Sequence, residues 1–309
     1  MQNTDAVVTF AIGKDYFKYA LSLADSFLLF NSKNKIEFFI ITDTEIHSIK
    51  KLNHKVKIIT SNTLLHGEDV LLNKFKVRDY VKSKNILLID ADSFICCNLS
   101  PIFSQHLNND VVIWGSLLSK KDDWRGNSID KLKSLTPEKL YKINGGVYLF
   151  KDTLLTERFF HQCTKLLSDY DDHGFAKVYG NYKDDEVVFS TALVLMDMQA
   201  YLPNSDIKVE TMYFTRRYIN LFFGNSRFYN SNFDRDFVKN IEAKNPMIIC
   251  FDRVSVNDFD YKLTSNALQY GQNNYILRIF FAVLTTLILN SYYMLKYFKW
   301  NLANLKNIN

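Results

Sequence analysis

Two carboxylates one residue apart, Asp90 and Asp92, close the apolar run Ile86-Leu87-Leu88-Ile89. The small Ala91 between them leaves the approach open, so both acids can reach one hard cation. Mg²⁺ and Mn²⁺ favour such oxygen ligands and let substrate phosphates complete the shell. An Asp-x-Asp pattern alone is common on solvated turns. Its position adds weight, because ligands of open α/β sheets bind beyond the carboxyl ends of the strands. A second acidic group, Asp184-Asp185-Glu186, precedes the apolar run Val187 to Leu195. It fits a site, and it equally fits the positive end of the helix dipole that such a run would form. Asn144-Gly145-Gly146 leads into a further apolar run ending at Phe150. Glycines there allow close backbone approach, or only a tight turn.

The elements that must position these groups alternate. Ala6 to Ile12 is an apolar, β-branched strand, and Tyr19, Leu23, Ser26, Phe27 and Phe30 recur at helical spacing after it. Lys35 to Thr42 and Lys55 to Thr60 read as two more strands, with a helix expected between them. Leu71 to Val81 reads as a helix and Asn85 to Ile89 as the strand that carries the acidic pair. Val111 to Trp114 and Gly146 to Phe150 follow as strands, with a polar loop and lid from Lys120 to Lys139 between them. Leu154 to Leu167 and Val187 to Leu195 are helical, and Met247 to Phe251 is the clearest late strand. Strands alternating with helices imply an α/β, Rossmann-like, mainly parallel sheet flanked by helices.

With 309 residues, 47% of them hydrophobic, and only 10 Gly and 4 Pro, the chain is expected to form one body without long flexible linkers. The net charge of +5 is modest and dispersed, which argues against nucleic acid as a partner. Cys96, Cys97, Cys163 and Cys250 make neither a disulfide framework nor a zinc spacing, so a reducing compartment is expected. No signal peptide or anchor is visible at the N-terminus, and the six histidines have no metal-binding spacing.

Ile279 to Leu295 carries no charge, and its 17 residues are at the lower edge of what crosses a bilayer. Phe280, Val283, Leu284, Leu287 and Met294 share one side of a helical wheel; Arg278, Thr285, Tyr292, Lys296 and Lys299 share the other. The expectation is an amphipathic helical appendage lying on a membrane surface through residues 275–299. Burial in the core or against a second subunit is the alternative. The division expected is residues 1–270 as the main domain and 271–309 as this appendage.

The stretch from Leu72 to Phe103 resembles the core of the retaining GT-A glycosyltransferases of family 8, the group of glycogenin and the bacterial lipopolysaccharide galactosyltransferases. Lys74, the apolar strand Ile86 to Ile89, Asp90-Ala91-Asp92, and Asn98-Leu99 with Phe103 occur in the family's order. Ile143 to Phe150 is similar to the family's Asn- and Gly-bearing strand, and Asp184-Asp185-Glu186 stands where the family places an Asp-Gln pair. Val7 to Phe30 also looks like the blood-group-type transferases of family 6, whose Asp-Glu pair would align with Asp185-Glu186. Both resemblances imply a GT-A fold, a nucleotide-sugar donor that is UDP-linked, retention at the anomeric carbon, and a glycan or glycolipid acceptor.

Residue by residue, the resemblance implies Asp90 and Asp92 as ligands of Mn²⁺ or Mg²⁺, and Asp185 and Glu186 as the catalytic candidates. It implies donor binding by Ala11, Asp15, Tyr16, Lys74, Asp90, Ala91, Asn144, Gly145 and Asp184. Tyr16 as a core-covering aromatic and Lys74 as a solvated lysine are the plainer alternatives. One position departs from the pattern: Cys250 stands where family 8 has a metal-binding His, and Cys is a poor partner for these cations. Asp252 could substitute, or the pair could suffice with the diphosphate. The expected function is a metal-dependent hexosyltransferase, peripheral on the cytoplasmic face of a membrane. The alternatives are a non-catalytic GT-A subunit that binds a glycan or nucleotide, and a sugar nucleotidyltransferase.

Overall fold

The computed structural model describes residues 2–45, 53–118, 122–132, 135, 139–214, 216–229, 242–271 and 275–306. In chain order the strands are β1 (Gln2–Ala11), β2 (Glu37–Thr42), β3 (Val56–Thr60), β4 (Ser83–Ile89), β5 (Ser93–Ile95), β6 (Val111–Leu117) and β7 (Tyr141–Lys151). They continue with β8 (Lys177–Val178), β9 (Tyr182–Lys183), β10 (Lys208–Glu210), β11 (Arg216–Tyr218), β12 (Arg227–Tyr229), β13 (Glu242–Lys244) and β14 (Ile248–Cys250). The helices are α1 (Lys14–Asn31), α2 (Val77–Tyr80), α3 (Ser100–Gln105), α4 (Leu154–Ser168), α5 (Asp185–Leu195), α6 (Phe259–Gly271) and α7 (Tyr275–Lys306).

The main sheet has the order β3-β2-β1-β4-β7-β6, and only β7 runs against the others. Alternation along β1 and β4 sends side chains to both faces. Ala6, Val8, Ile86 and Leu88 join a core with Phe159 and Phe189 of α4 and α5. Val7, Ala11, Leu87 and Ile89 join another with Leu23 and Phe27 of α1 and Ile102 of α3. The mainly parallel, helix-flanked sheet is the one the sequence implies. The helix expected before β3 falls partly on residues 46–52, outside the described residues.

The segment from Leu71 to Val81, expected as a helix, is instead a 3₁₀ turn over Gly67–Lys76 followed by the single turn of α2. The buried Asn73 explains the tighter winding. Its amide oxygen accepts from Leu65 N at 2.9 Å and its nitrogen donates to Leu65 O at 2.9 Å and Val70 O at 2.8 Å, tying the chain back to the preceding loop. Local side-chain bonds of this kind compete with the α-helical ladder.

The C-terminal helix α7 packs on α6 with its polar side inward. Thr285, Leu289 and Tyr293 are at most 3% exposed, whereas Leu287 is 60% and Met294 75% exposed. Tyr293 donates to Asp260 Oδ2 at 2.8 Å, Asn220 Nδ2 to Thr286 Oγ1 at 3.0 Å, and Tyr218 to Asn290 Oδ1 at 2.8 Å. Asp260 in turn takes two bonds from Arg217, at 2.8 and 3.0 Å. Its 18-residue window Ile279–Lys296 averages a mean hydropathy of 1.4, long and apolar enough to cross a membrane.

Asp25 is buried on α1 with no cation in ion-pair range among the described residues, and burial pushes its carboxyl up to about 7. A raised carboxylate keeps its proton in the folded chain while the unfolded chain releases it near the ordinary value of 3.8. Stability therefore falls as pH rises from about 4 to about 7. Asp25→Asn removes that loss: the variant should match the native chain near pH 4 and exceed it at pH 8 by on the order of a few kcal/mol. Denaturation midpoints at the two pH values measure it, and equal midpoints at pH 8 contradict it.

Candidate functional site

Strand β4 ends at Ile89 opposite Val147 of β7, so Asp90 emerges beside the glycine pair, and Asp90 N donates to Gly146 O at 3.0 Å. Two residues on, β5 pairs with β14, and Phe251 N donates to Asp92 O at 3.0 Å. The acidic pair thus sits where the main sheet hands over to the small sheet β10-β14-β5. Here a cleft of about 400 Å³ opens, walled by Tyr16, the 3₁₀ segment, Asp90 to Asp92, Gly145-Gly146, Glu186, Glu210 and Cys250 to Arg253.

The tight winding of the 3₁₀ segment turns Lys74 inward. Its ammonium lies 2.9 Å from Asp90 Oδ1 and 3.1 Å from Asp185 Oδ2, and donates to Gly145 O at 3.2 Å. Burial opposes its charge, but Asp185 and then Asp90 outweigh that and raise it further. Asp185 also accepts from the Tyr148 hydroxyl at 2.9 Å. Asp184 caps α5, accepting from Glu186 N at 3.1 Å. Glu186 Oε1 accepts from Gly145 N at 2.9 Å, and Glu186 Oε2 lies 2.9 Å from Arg125 Nη1.

Arg125 comes from the expected lid, as half of a tight hairpin. Trp124 and Asn127 exchange backbone bonds of 2.7 and 2.8 Å, and Arg125 and Gly126 between them have φ of 51° and 81°. Two central residues with positive φ make a turn that follows the strand twist.

The acids repel one another in a buried place. Burial pushes Glu186 up to about 8 and Asp184 to about 6, with Arg125 opposing in both cases. Burial, then Asp90, then Glu210 drive Asp92 well above the carboxylate range. Tyr16 lines the same cleft, and partial burial, then Asp92, then Asp90 raise its hydroxyl to about 12. Six carboxylates at Asp90, Asp92, Asp184, Asp185, Glu186 and Glu210 gather around Lys74, Arg125 and Lys208. Uncompensated negative charge with oxygen donors fits Mg²⁺ or Mn²⁺. Among the described residues no three acid, His or Cys side chains already form a closed ligand cluster.

Of the residues singled out in the sequence, Tyr16, Lys74, Asp90, Ala91, Asp92, Gly145 and Glu186 line the cleft. Lys74 is buried rather than solvated. Asp184 and Asp185 stand behind the wall, linked to it by the capping bond and the Lys74 pair. Ala11 is buried in β1 with its carbonyl taking the Thr42 hydroxyl, and Asp15 pairs with Lys18 on the surface at 2.9 Å; neither lines the cleft. The turn before α1 is instead held by Gly13 N donating to Asp43 Oδ1 at 2.8 Å. Asn144 lies on β7, its side chain outside what is described. Sequence reasoning missed Arg125, Glu210 and Tyr148. An Arg-Gly pair in a polar loop was the one local signal for the first; the other two are placed by strand pairing.

Gly145 has little room. A β-carbon there would stand 2.6 Å from Glu186 Oε1 and 2.9 Å from the Tyr148 hydroxyl. Gly145→Ala should displace Glu186 and destabilise the chain by about 1–3 kcal/mol, the usual cost of overpacking. An unchanged urea midpoint would contradict this crowding.

No protein-family model matches the chain, and no curated protein matches it by sequence. Among solved structures, the galactosyltransferase LgtC in complex with donor and acceptor sugar analogues is similar over 85% of this chain and 95% of that chain, at 13% identity and a TM-score of 0.54. An active-site glutamine-to-glutamate mutant of LgtC covers 87% of this chain and 96% of that one, at 14% identity and a TM-score of 0.53. At such identity the likeness is one of architecture, and the chain has the GT-A fold of LgtC over most of its length.

Proposed function

We propose that the chain is a retaining hexosyltransferase that takes its sugar from a UDP-linked donor and passes it to a glycan or glycolipid acceptor. One observation carries the reading. In a GT-A fold, Asp90 and Asp92 share a single cleft with an aromatic at the first strand-to-helix turn, a buried lysine and an acidic helix start. LgtC, with the same fold, was crystallised with donor and acceptor sugar analogues.

In this reading the Tyr16 ring packs the nucleotide at the cleft mouth, and Asp90 and Asp92 face the diphosphate. A divalent cation on that pair would supply Lewis-acid withdrawal of charge from the leaving group. Lys74 holds Asp90 and Asp185 in place. Glu186 and the backbone of Gly145 border the sugar. Glu186 accepts from Gly145 N and faces Arg125, which suits a carboxylate held in place beside the sugar better than one free to attack it. Transfer then proceeds on the front face. The bond from the anomeric carbon to the phosphate oxygen breaks, the bond to the acceptor oxygen forms on the same side, and the departing phosphate takes the acceptor proton.

The test is nucleotide release by the full chain from a panel of UDP- and GDP-sugars, with Mn²⁺ and with chelator. Metal-dependent UDP release is expected from one donor, and Asp92→Asn should abolish it while leaving the melting temperature in chelator unchanged. Near-normal transfer by that variant sinks the assignment of the acidic pair. Binding of a nucleotide sugar without turnover would favour the non-catalytic alternative.

The same proposal places α7 on a membrane surface. Its polar side is spent on Asp260, Tyr218 and Asn220, which leaves Phe280, Leu284, Leu287 and Met294 facing outward. Hydrogen bonds at Thr286, Asn290 and Tyr293 hold the middle of the helix against the body, which favours a helix lying on the surface over one that crosses. The four free cysteines suit a reducing compartment on that membrane's inner side. The full chain should float with phospholipid vesicles, and a Leu287→Glu, Met294→Glu double variant should float several-fold less, since lipid binding scales with buried apolar area. Equal flotation of the two chains removes the membrane assignment.

A further inference from the structure

The position where related transferases carry a metal-binding histidine holds Cys250, whose thiol is buried. Asp252, two residues on, is occupied: its Oδ1 accepts from Ser255 N at 2.9 Å and from the Ser255 hydroxyl, fixing the turn before α6. The neighbouring strand offers another carboxylate. In the small sheet Cys250 is the partner of Ser93 on one side and of Glu210 on the other, so Ser93, Cys250 and Glu210 form one row across three strands, and Ser93 directly follows Asp92. Glu210 lines the same cleft as Asp90 and Asp92.

Glu210 Oε1 is buried without a hydrogen-bond partner of its own, and the Cys250 thiol is the weak donor that reaches this carboxyl. The cation nearest to it, Lys208, is 4.0 Å away, at the limit of an ion pair. A buried carboxylate oxygen without a donor is costly unless something positive meets it. Gly146 shows where Glu210 is aimed: a β-carbon there would lie 3.0 Å from Glu210 Oε1 and 2.8 Å from Cys250 Sγ. Gly146 is the residue whose carbonyl holds Asp90 N. The absence of a side chain at Gly146 is what lets the small sheet bring Glu210 up to the acidic pair.

We infer that Glu210 is the third protein ligand of the divalent cation, reaching from the strand beside Cys250 to make an all-oxygen set with Asp90 and Asp92. The inference rests on the reading of that pair as metal ligands. A carboxylate one strand away can replace an imidazole on the nearer strand because its side chain is long enough to span the difference. The three carboxylates do not already close on one point among the described residues, so completing the set requires Glu210 to turn from Lys208 toward Asp90 and Asp92. An all-oxygen site favours Mg²⁺ and Mn²⁺ over thiophilic ions, which a Cys250 ligand would instead attract.

The experiment is Mn²⁺ binding to the full chain, followed by the electron paramagnetic resonance signal of free Mn²⁺ with UDP present and absent. The native chain, Asp92→Asn, Glu210→Gln, Glu210→Asp and Cys250→Ser are compared, each checked by its melting temperature in chelator. Glu210→Gln should weaken Mn²⁺ about tenfold or more, because ligand charge count sets divalent affinity. Cys250→Ser should leave it unchanged. Glu210→Asp keeps the charge but shortens the reach, so it should also weaken binding, and it decides the matter should Glu210→Gln not fold. Native affinity in both Glu210 variants, with binding lost in Asp92→Asn, overturns this inference and leaves the proposed function standing. No Mn²⁺ binding by the native chain, with or without UDP, overturns both.

Discussion

The bridge from Lys74 to Asp90 and Asp185 is the constraint on which the site depends. It joins three parts of the chain that no local bond connects: the 3₁₀ segment, the end of β4 and the first residue of α5. A buried ammonium is expensive, and attraction to two carboxylates repays it only with good geometry and with its remaining protons satisfied. Both conditions hold, since Gly145 O takes a further bond and the Tyr148 ring lies 5.5 Å from the charge. Removing either acid would leave the lysine a single carboxylate, and removing the lysine would leave Asp90 and Asp185 without the cation they share. The bridge therefore stabilises one arrangement strongly against its alternatives, more than it stabilises the fold itself.

That arrangement needs glycine at two successive positions for two separate reasons. Gly145 lets Glu186 and Tyr148 approach β7 from the α5 side, and Gly146 lets Glu210 and Cys250 approach from the small sheet. The two faces of one short backbone stretch thus admit the two acidic groups toward Asp90. Electrostatic repulsion among them is held in check by Lys74, Arg125 and Lys208, and under the proposed function what remains uncompensated would draw a cation into the cleft. The strained Arg125-Gly126 turn belongs to the same balance, because it delivers the guanidinium to Glu186.

The sequence made some of this legible and hid the rest, for physical reasons. Asp90 and Asp92 were readable because burial of Ile86 to Ile89 and the break after it are local properties, and strand ends of α/β sheets open onto crevices. The glycine pair and the acidic helix start were readable in the same way, though not their mutual contact. Lys74 was singled out by the family resemblance, but its burial was not legible, because a buried Asn73 tightens its segment and turns it inward. Glu210 was hidden because its place follows from the pairing of two three-residue strands with weak periodic signal. Asp15 misled for the opposite reason: it is near the cleft in sequence, but Gly13 turns the chain so that Asp15 meets Lys18 in solvent. On α7 the two faces of the wheel were legible, but which face meets the body was not. Apolar residues usually turn inward, and here Thr285 and Tyr293 do so beside Leu289 while Leu287 and Met294 face out.

That inversion links the cleft to the outer surface of α7. Tyr293 is bonded to Asp260 on α6, and Tyr261 beside it packs edge-on to Tyr19 of α1 at 5.8 Å. Ser265 of α6 shares a hydrogen bond of 2.5 Å with Ser22 of α1. Tyr19 in turn meets Tyr16 at 5.7 Å, where the cleft begins. A row of packed rings and hydrogen bonds thus ties the apolar face of α7 to Tyr16. A surface held by that face would fix the direction in which the cleft opens. For a transferase acting on a lipid-linked glycan, that sets how far from the bilayer the acceptor hydroxyl must stand, and selectivity among acceptors would then arise partly from the body's orientation and not only from contacts within the cleft.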